Sequence, residues 1–479
     1  MALHLHDTLA REKRPFGPPD HPIRMYTCGP TVYDRVHVGN LRAFLFYDLL
    51  RRSLEWLGYE VRHVMNLTDV DDKTIRGSRR EGVPLREFTE RYTRTFLDDC
   101  AALRILRPHV MPRATDAIPE MIALTERLLA AGVAYRSDDG SVYFKIAAFP
   151  GYGKLSHLDA RTLQAGAGGR VAQDEYDKES AHDFALWKAW SEDDGDVAWD
   201  APFGRGRPGW HLECSALAFK HLGEALDVHA GGVDLVFPHH ENEIAQSEAA
   251  SGCTFARFWL HNEHLLVGGQ KMSKSLKNFY TLGDLVTLGQ ATPREVRYAL
   301  IAAHYRSPSN LAVTYEGEGE ARRPVRFDSL VDARGALKRL DAFRRDLRAR
   351  ATGQASSDGA HERLARARTA FRDAIEDDLN VPRALAALFE LVADVNRLGT
   401  WDVEFAAAVE AFWDDADRVL GVLAPEADAL SPEEQALFER WQAARTAKDW
   451  AGADAVKAEL TARGITVQAR KDGATWTRG

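Results

Sequence analysis

The chain has 479 residues, 45% of them hydrophobic and 28% charged, with a formal net charge of −9. That length predicts about two to four domains. The composition is that of a globular chain, and no apolar run reaches the roughly 20 residues that span a bilayer, so disordered, fibrous and membrane-spanning classes are excluded.

The first residues lack the long apolar stretch of a secretory leader, and the expectation is a cytoplasmic enzyme. Four cysteines are too few for a disulfide framework; in a reducing compartment they read as buried, catalytic or metal-bound. Net acidity argues weakly against a general nucleic-acid coating but leaves room for a local footprint.

In chain order, "IRMYTCG" (23–29) reads as a short buried strand stopped by glycine and proline. "GNLRAFLFYDLLRRSLEWLGYE" has helical apolar spacing and closes on Gly58, and "VRHVMNLTDV" is a second strand. Strand, helix, strand implies a right-handed parallel crossover, and its first turn is where ligands bind. Residues from about 84 to 132 read as helical. "VAYRSDDGSVYFKI" alternates around Asp139–Gly140 and predicts a hairpin. From about 150 to 200 the chain is irregular and rich in Gly, Asp and Trp, as in an insertion. α/β signal then returns: "GWHLECSALAFKHLG" (helix), "ALDVHAGG" (strand), "PHHENEIAQSEAA" (helix) and "RFWLHNEHLLVGG" (strand). After about 293 the pattern is nearly all helix, including "EGEGEARRPVRFDSLVDARGALKRLDAFRRDLRAR", with "ATGQASSDGAH" (351–361) as a flexible loop. The tail predicts two short helices and a terminal hairpin, "ITVQARKDGATWTRG".

Two places carry chemistry. Pro238 suits the first turn of a helix. His239 and Glu243 then share a face and offer two ligands to one metal. Cys28, at the ligand-binding end of the first strand, and Cys214, in the helix before the strand leading to His239, are the candidate partners; two thiolates, an imidazole and a carboxylate suit zinc. The same residues are equally read as a solvated histidine and a first-turn carboxylate favoured by the helix dipole. Cys100 and Cys253 are read as buried or incidental thiols. The second place is the pair "HVGN" (37–40) and "GGQKMSKSLKN" (268–278). A helix N-terminus offers N–H groups to phosphate, His37 a hydrogen bond, and Gly39 close approach of a flat base to the backbone. A glycine pair with closely spaced lysines suits a loop that closes on a triphosphate, although a solvated basic turn has the same letters.

The blocks "YTCGPTVYDRVHVGN", "NLTDVDDKTI", "GRPGWHLECSA", "DVHAGGVDLVFPHHENEIAQS", "GGQKMSKSLKN" and "AKDWAGADAVKAEL", in this order, resemble the class I aminoacyl-tRNA synthetases and, within them, the cysteinyl-tRNA synthetase family. The resemblance covers nearly the whole chain. It implies a Rossmann-like parallel sheet split by an insertion, then a C-terminal α-helical bundle and a small α/β anticodon-binding domain. The implied divisions are 1–125 and 201–290 for the catalytic halves, 126–200 for the insertion, 291–425 for the stem-contact and bundle region, and 426–479 for the anticodon domain.

The implied activity is formation of cysteinyl-adenylate from L-cysteine and ATP and transfer to tRNA(Cys), by a monomer. Zn²⁺ held at Cys28, Cys214, His239 and Glu243 takes the substrate thiol, and Mg²⁺ accompanies ATP. Serine, a harder and less acidic ligand, is thereby rejected without editing. Carried over by position, Thr31, Trp210 and His229 border the amino-acid pocket. His37, Gly39 and Asn40 face adenine and phosphate, Gly232 and Asp234 the ribose, and Lys271 and Lys274 the triphosphate. Arg445, Trp450 and Asp454 face the anticodon. The chain departs from the family pattern at Asn40, where a histidine is usual, at Ala469 and Arg470, where an acidic pair is frequent, and at Arg76 in the lysine-rich run after "DVDD". Two other readings share these blocks: a ligase joining cysteine to an amino-sugar, which lacks the tail module present here, and a non-enzymatic tRNA binder or cysteine sensor, against which the intact "HVGN" and "KMSKS" argue.

Overall fold

The computed structural model describes residues 2–17, 19–158, 183–272, 276, 278–317, 322–352, 356, 359–398, 400–424, 432–463, 465–470 and 473–478. They fall into two compact units, Met1–Leu423 and Ala424–Gly479.

Four strands position the site: β1 (Ile23–Thr27), β2 (Val61–Met65), β3 (Leu226–Gly232) and β4 (Ala256–Asn262), in the order β4-β3-β1-β2. Every neighbouring pair is parallel. All of β3 is buried, its Asp227 and His229 included. The predicted crossover is present: α1 (Val38–Trp56) joins β1 to β2. Gly58 follows it with φ of 93°, a conformation that favours glycine. The two halves of the sheet come from either side of the insertion, and the seam between them is β1 against β3.

The predicted hairpin around Asp139–Gly140 is present. It belongs to an antiparallel sheet of Ala134–Arg136, Val142–Lys145, Asp183–Ala189 and Gly206–Pro208. Asp183–Ala189, read as irregular, is therefore a strand, and its Phe184–Trp187 run is buried. Residues 159–182 of the predicted irregular stretch lie outside the described residues.

Three further readings are corrected. The helix expected over about 84–132 is two helices, Leu85–Ala102 and Ile118–Ala130. Between them the chain runs beside β2, with Met65 N–H donating to Val110 O and Leu67 N–H to Pro112 O; Pro108 and Pro112 exclude a continuous helix. The charged stretch expected to be helical from 316 onward opens as an antiparallel hairpin, Val313–Glu316 with Arg323–Phe327. Pro324 is tolerated in that edge strand but not inside a helix, and the helix starts only at Asp328. Within the predicted 351–361 loop, Ala351–Thr352 pairs with Trp401–Asp402.

The helices Asp328–Ala349, Ala360–Glu376, Val381–Leu398 and Val403–Leu420 close around Leu340, Phe371, Leu388 and Trp413. In the second unit, helices Pro432–Thr446 and Trp450–Ala462 and the hairpin Ile465–Arg470/Gly473–Arg478 share a core of Leu437, Phe438, Trp441, Leu460 and Ile465. Among the described residues, no helix is long and apolar enough to cross a membrane.

Candidate active site and metal centre

At the C-terminal ends of β1 and β3 the fold gathers sulfur, imidazole and carboxylate. Cys28 follows β1 directly, and Cys214 sits in α2 (Trp210–Leu222). His239 lies in an irregular turn, Val236–His240, after a cis Phe237–Pro238 bond. α3 (Glu241–Ser251) begins only after that turn, so Pro238 is not in a first helical turn. The four-residue spacing still works: His239 Nε2 stands 2.9 Å from Glu243 Oε1. Cys28 Sγ is 4.0 Å from Cys214 Sγ and 3.8 Å from Glu243 Oε1. All four residues are buried, with donor atoms within 4.8 Å of one another.

This set fits zinc. Thiolates each about 2.3 Å from a tetrahedral zinc stand about 3.8 Å apart, and the two sulfurs are already near that separation. A second quartet shares half of the first: Cys28 and Glu243 with His229 and His240. His240, whose Nε2 is 3.3 Å from Cys28 Sγ, was not singled out from the sequence. The doubled histidine of "PHH" was the available signal.

Burial raises the cost of every charge here, and close pairing offsets it. Burial pushes Glu243 up, but His229 and His239 overcome this and hold it at about 2. Burial pushes His239 down, while Glu243 and Cys214 carry it to about 10. Burial and its bond with Cys214 push the Cys28 thiol well up. His211, His240 and His261 are driven down by burial and are neutral rings. They relay hydrogen bonds outward: His211 Nδ1 to His239 Nδ1 at 2.9 Å, His240 Nδ1 to His261 Nε2 at 2.8 Å, and His261 Nδ1 to Thr8 Oγ1 at 2.7 Å. Such partners fix ring orientation and tautomer.

Of the three predicted pocket residues, Trp210 and His229 touch this cluster. Trp210 stacks on His239 with centroids 4.1 Å apart. His229 is completely buried; its Nε2 meets Glu243 Oε2 at 2.8 Å, so it supports the carboxylate rather than presenting a free surface. Thr31 pairs with Thr68 through a parallel bridge beyond β1.

The two nucleotide signatures meet. His37 and Thr281 form an antiparallel bridge, and Val38 N–H donates to Tyr280 O. His37 caps α1: its Nδ1 accepts from the N–H groups of Gly39 and Asn40 at 3.1 and 3.3 Å. The expectation of helix-start N–H groups aimed at phosphate is thus modified, since two of them go to this ring. An accepting Nδ1 leaves the proton on Nε2, and burial holds the ring neutral, with its pKa lowered to about 4. A Cβ on Gly39 would lie 2.3 Å from Met272 Cε and 2.9 Å from His37 Cε1, so a larger residue there would have to displace those side-chain tips. Gly232 ends β3, and a Cβ there would lie 2.4 Å from Asp234 Oδ1; Asp234 is exposed in the next turn. Lys271 is exposed on a short strand paired with Leu265–Val267. Lys274 lies outside the described residues.

Arg42, one turn into α1, was missed by sequence reading. It is buried, and burial lowers its pKa to about 10. Its guanidinium donates to the carbonyls of Glu263, His264, His304, Tyr305 and Ser307, tying α1 to the segments that lead into Leu265–Val267 and its parallel neighbour Ser309–Leu311. Nothing in an amphipathic helix pattern separates such an arginine from a solvated one.

In the second unit, the Arg445 guanidinium lies 5.2 Å from the Trp441 ring and 5.6 Å from that of Trp450. Trp450 is 57% exposed. Asp454 is exposed one helical turn further on.

Comparison with known proteins places this architecture. Methionyl-tRNA synthetase of Mycobacterium tuberculosis bound by methionyl-adenylate superposes with a TM-score of 0.58 at 16% identity, covering 84% of this chain and 88% of that one. A ternary complex of an Agrobacterium radiobacter LeuRS with tRNA gives 0.58 at 12% identity, covering 85% of each. At such identities the likeness concerns the fold, which is that of the class I synthetases. The profile of class I (C) tRNA synthetase catalytic domains matches residues 18–316, a DALR domain matches 370–424, and the cysteinyl-tRNA ligase anticodon-binding domain matches 427–476. The cysteine–tRNA ligase of Solibacter usitatus is 47% identical over 485 residues, covering 100% of both chains. That of Opitutus terrae is 48% identical over 487 residues, covering 99% of this chain and 98% of its own. That of Chlamydia pneumoniae is 45% identical over 478 residues, covering 98% and 97%. The chain belongs to the cysteinyl-tRNA synthetase family.

Proposed function

We propose that the chain activates L-cysteine with ATP to cysteinyl-adenylate and transfers the cysteine to tRNA(Cys), acting as a cytoplasmic monomer. The observation that carries the amino-acid choice is the buried Cys28–Cys214–His239–Glu243 quartet beside Trp210. These residues would hold Zn²⁺, which supplies a soft Lewis acid for the substrate thiol. The chain's own part is positional. His229 donates its Nε2–H to Glu243 and so orients that carboxylate, and Trp210 shapes the wall beside His239.

In the first step the cysteine carboxylate attacks the α-phosphorus of ATP, the bond to the β-phosphate oxygen breaks, and pyrophosphate leaves. A carboxylate needs no base, so the protein orients and stabilises. His37 donates its Nε2–H to phosphate oxygen. Gly39 and Asn40 border the adenine, Gly232 and Asp234 the ribose, and Lys271 and Lys274 neutralise the triphosphate, which Mg²⁺ accompanies. In the second step the terminal ribose hydroxyl of the tRNA attacks the adenylate carbonyl and AMP leaves. Arg445, Trp450 and Asp454 offer a stacking face and edge hydrogen bonds to unpaired anticodon bases. The division into 1–125, 126–200, 201–290, 291–425 and 426–479 is part of this reading.

Cysteine-dependent ATP–pyrophosphate exchange followed by charging of tRNA(Cys) tests it. Exchange without charging, together with ligation of cysteine to an amino-sugar, would select the other ligase chemistry. Absence of exchange would reduce the chain to a binder.

A further inference from the structure

The buried arginine one turn into α1 joins two parts of the nucleotide site. Arg42 is 3% exposed, and all five of its acceptors are backbone carbonyls. A buried guanidinium is costly unless its N–H groups are satisfied, and a planar fork can serve two segments at once. Here Nη1 takes the carbonyls of Glu263 and His264, and Nη2 those of His304, Tyr305 and Ser307. The first segment runs into Leu265–Val267 and the second into its parallel neighbour Ser309–Leu311. Glu263 N–H to Tyr305 O and Ser309 N–H to His264 O, at 2.8 and 3.2 Å, join these segments to each other. Those bonds leave the placement of the segments against α1 to side-chain packing and to Arg42.

The strand held in this way leads to a lysine of the nucleotide site. Leu265–Val267 pairs antiparallel with Gln270–Lys271, and Leu266 stands opposite Lys271. Asn278 Nδ2 donates to Lys271 O at 3.2 Å. Two residues beyond Asn278 the chain is back on α1: Tyr280 O accepts from Val38 N–H at 2.9 Å, and Thr281 bridges His37. Val38 and Arg42 are four residues apart and share one face of α1. A single turn of α1 therefore holds both the approach to the Lys271 strand and the return from it, and that turn begins at His37.

We infer that Arg42 is a positioning residue for adenylate formation: its two-sided grip holds the Gln270–Lys271 strand at a fixed place against the start of α1, so that Lys271 and His37 meet one triphosphate. The inference rests on the adenylate chemistry proposed above. Arg42 acts through the strand and not on a substrate atom. Cysteine is held elsewhere, at the metal quartet, so the grip bears on the rate of the reaction and not on capture of the amino acid.

The test is cysteine-dependent ATP–pyrophosphate exchange by the zinc-loaded full chain, by Arg42→Lys and by Arg42→Met, well below their melting temperatures. Calorimetry reads cysteine binding, and hydrogen–deuterium exchange reads the amides of Leu265–Lys271. Lysine keeps the charge, but its one nitrogen cannot reach both segments. Because a misplacement of about 1 Å can cost roughly 100-fold, both variants should lose about 10- to 100-fold in kcat while the Kd for cysteine stays the same. The amides of Leu265–Lys271 should exchange faster in both. An unchanged kcat in Arg42→Met, a parental kcat in Arg42→Lys, or a cysteine Kd that weakens in step with kcat would each overturn the positioning role; the last is the signature of a merely structural residue. Should Arg42→Met fail to fold, Arg42→Lys carries the same comparisons. Absence of exchange activity in the parent would fail the adenylate reading and this role with it, whereas an active parent with unaltered amide protection in the variants would refute the grip alone.

Discussion

Replacing Cys214 by serine separates metal binding from folding. The substitution exchanges one atom in a side chain that is 2% exposed. Its sulfur faces Cys28 and the hydrogen-bonding ring of His239 rather than hydrocarbon, so a hydroxyl finds partners there. The folding cost is about 1 kcal/mol or less. The metal cost is larger. Zinc held by four protein ligands binds with about 10–16 kcal/mol, roughly 3 kcal/mol per ligand if shared equally. A serine hydroxyl does not ionise near neutrality as a thiol does, so Cys214→Ser should weaken zinc by about 100-fold or more. Competition with a chromophoric chelator reads the metal affinity, and thermal melting with and without chelator reads the fold. Cysteine-dependent exchange should fall with the metal. If the variant retains zinc against the same chelator concentration as the parent, or its melting temperature collapses in parallel with its metal content, the ligand assignment of Cys214 is wrong.

Lys274→Ala should slow pyrophosphate exchange at least tenfold, about 1.4 kcal/mol in the barrier, while cysteine binding measured by calorimetry stays unchanged; an unaltered exchange rate removes Lys274 from the chemistry. Arg42→Met withdraws a guanidinium shared by five carbonyls, and urea unfolding should show a loss of roughly 3 kcal/mol. A loss under 1 kcal/mol would mean the segments beside Leu265–Val267 hold themselves. His37 should titrate near 4 by NMR of its C2 proton, because burial lowers it. Its contribution to stability, at most about 3 kcal/mol, is complete above pH 6.5 and is lost as pH falls from there through 4, since the unfolded ring takes the proton first. A midpoint near 6.5 would show the ring to be open to water.

How much of this was legible depends on whether the signal was local. The β1–α1–β2 unit was readable because both strands are short apolar runs and the intervening helix keeps one period to its glycine stop. The quartet of donors was readable as a set of candidates, since "PHHENE" places two of them at one helical spacing. Their meeting with Cys28 and Cys214 was not, because it depends on strand order across about 200 residues. The hairpin from Val313 to Phe327 was missed because its outward positions are charged and its apolar alternation is weak. Glu316 with Arg323 and Tyr315 with Arg322 hold it instead. The proline inside "RRPVRF" was the warning. Arg42 was invisible for another reason: it is defined by which acceptors surround it, and those lie on distant segments.

The seam between β1 and β3 has a consequence for synthesis. Thr27 pairs with Ala230, roughly 200 residues later. At about 5–20 residues per second a ribosome needs some 10–40 s to cover that interval. Throughout it β1 has an unfilled edge, and Cys28 waits for its partners, because Cys214 comes only near the end and His239 and Glu243 later still. The N-terminal half is therefore born exposed to mispairing and oxidation, and slower translation through the insertion prolongs that exposure.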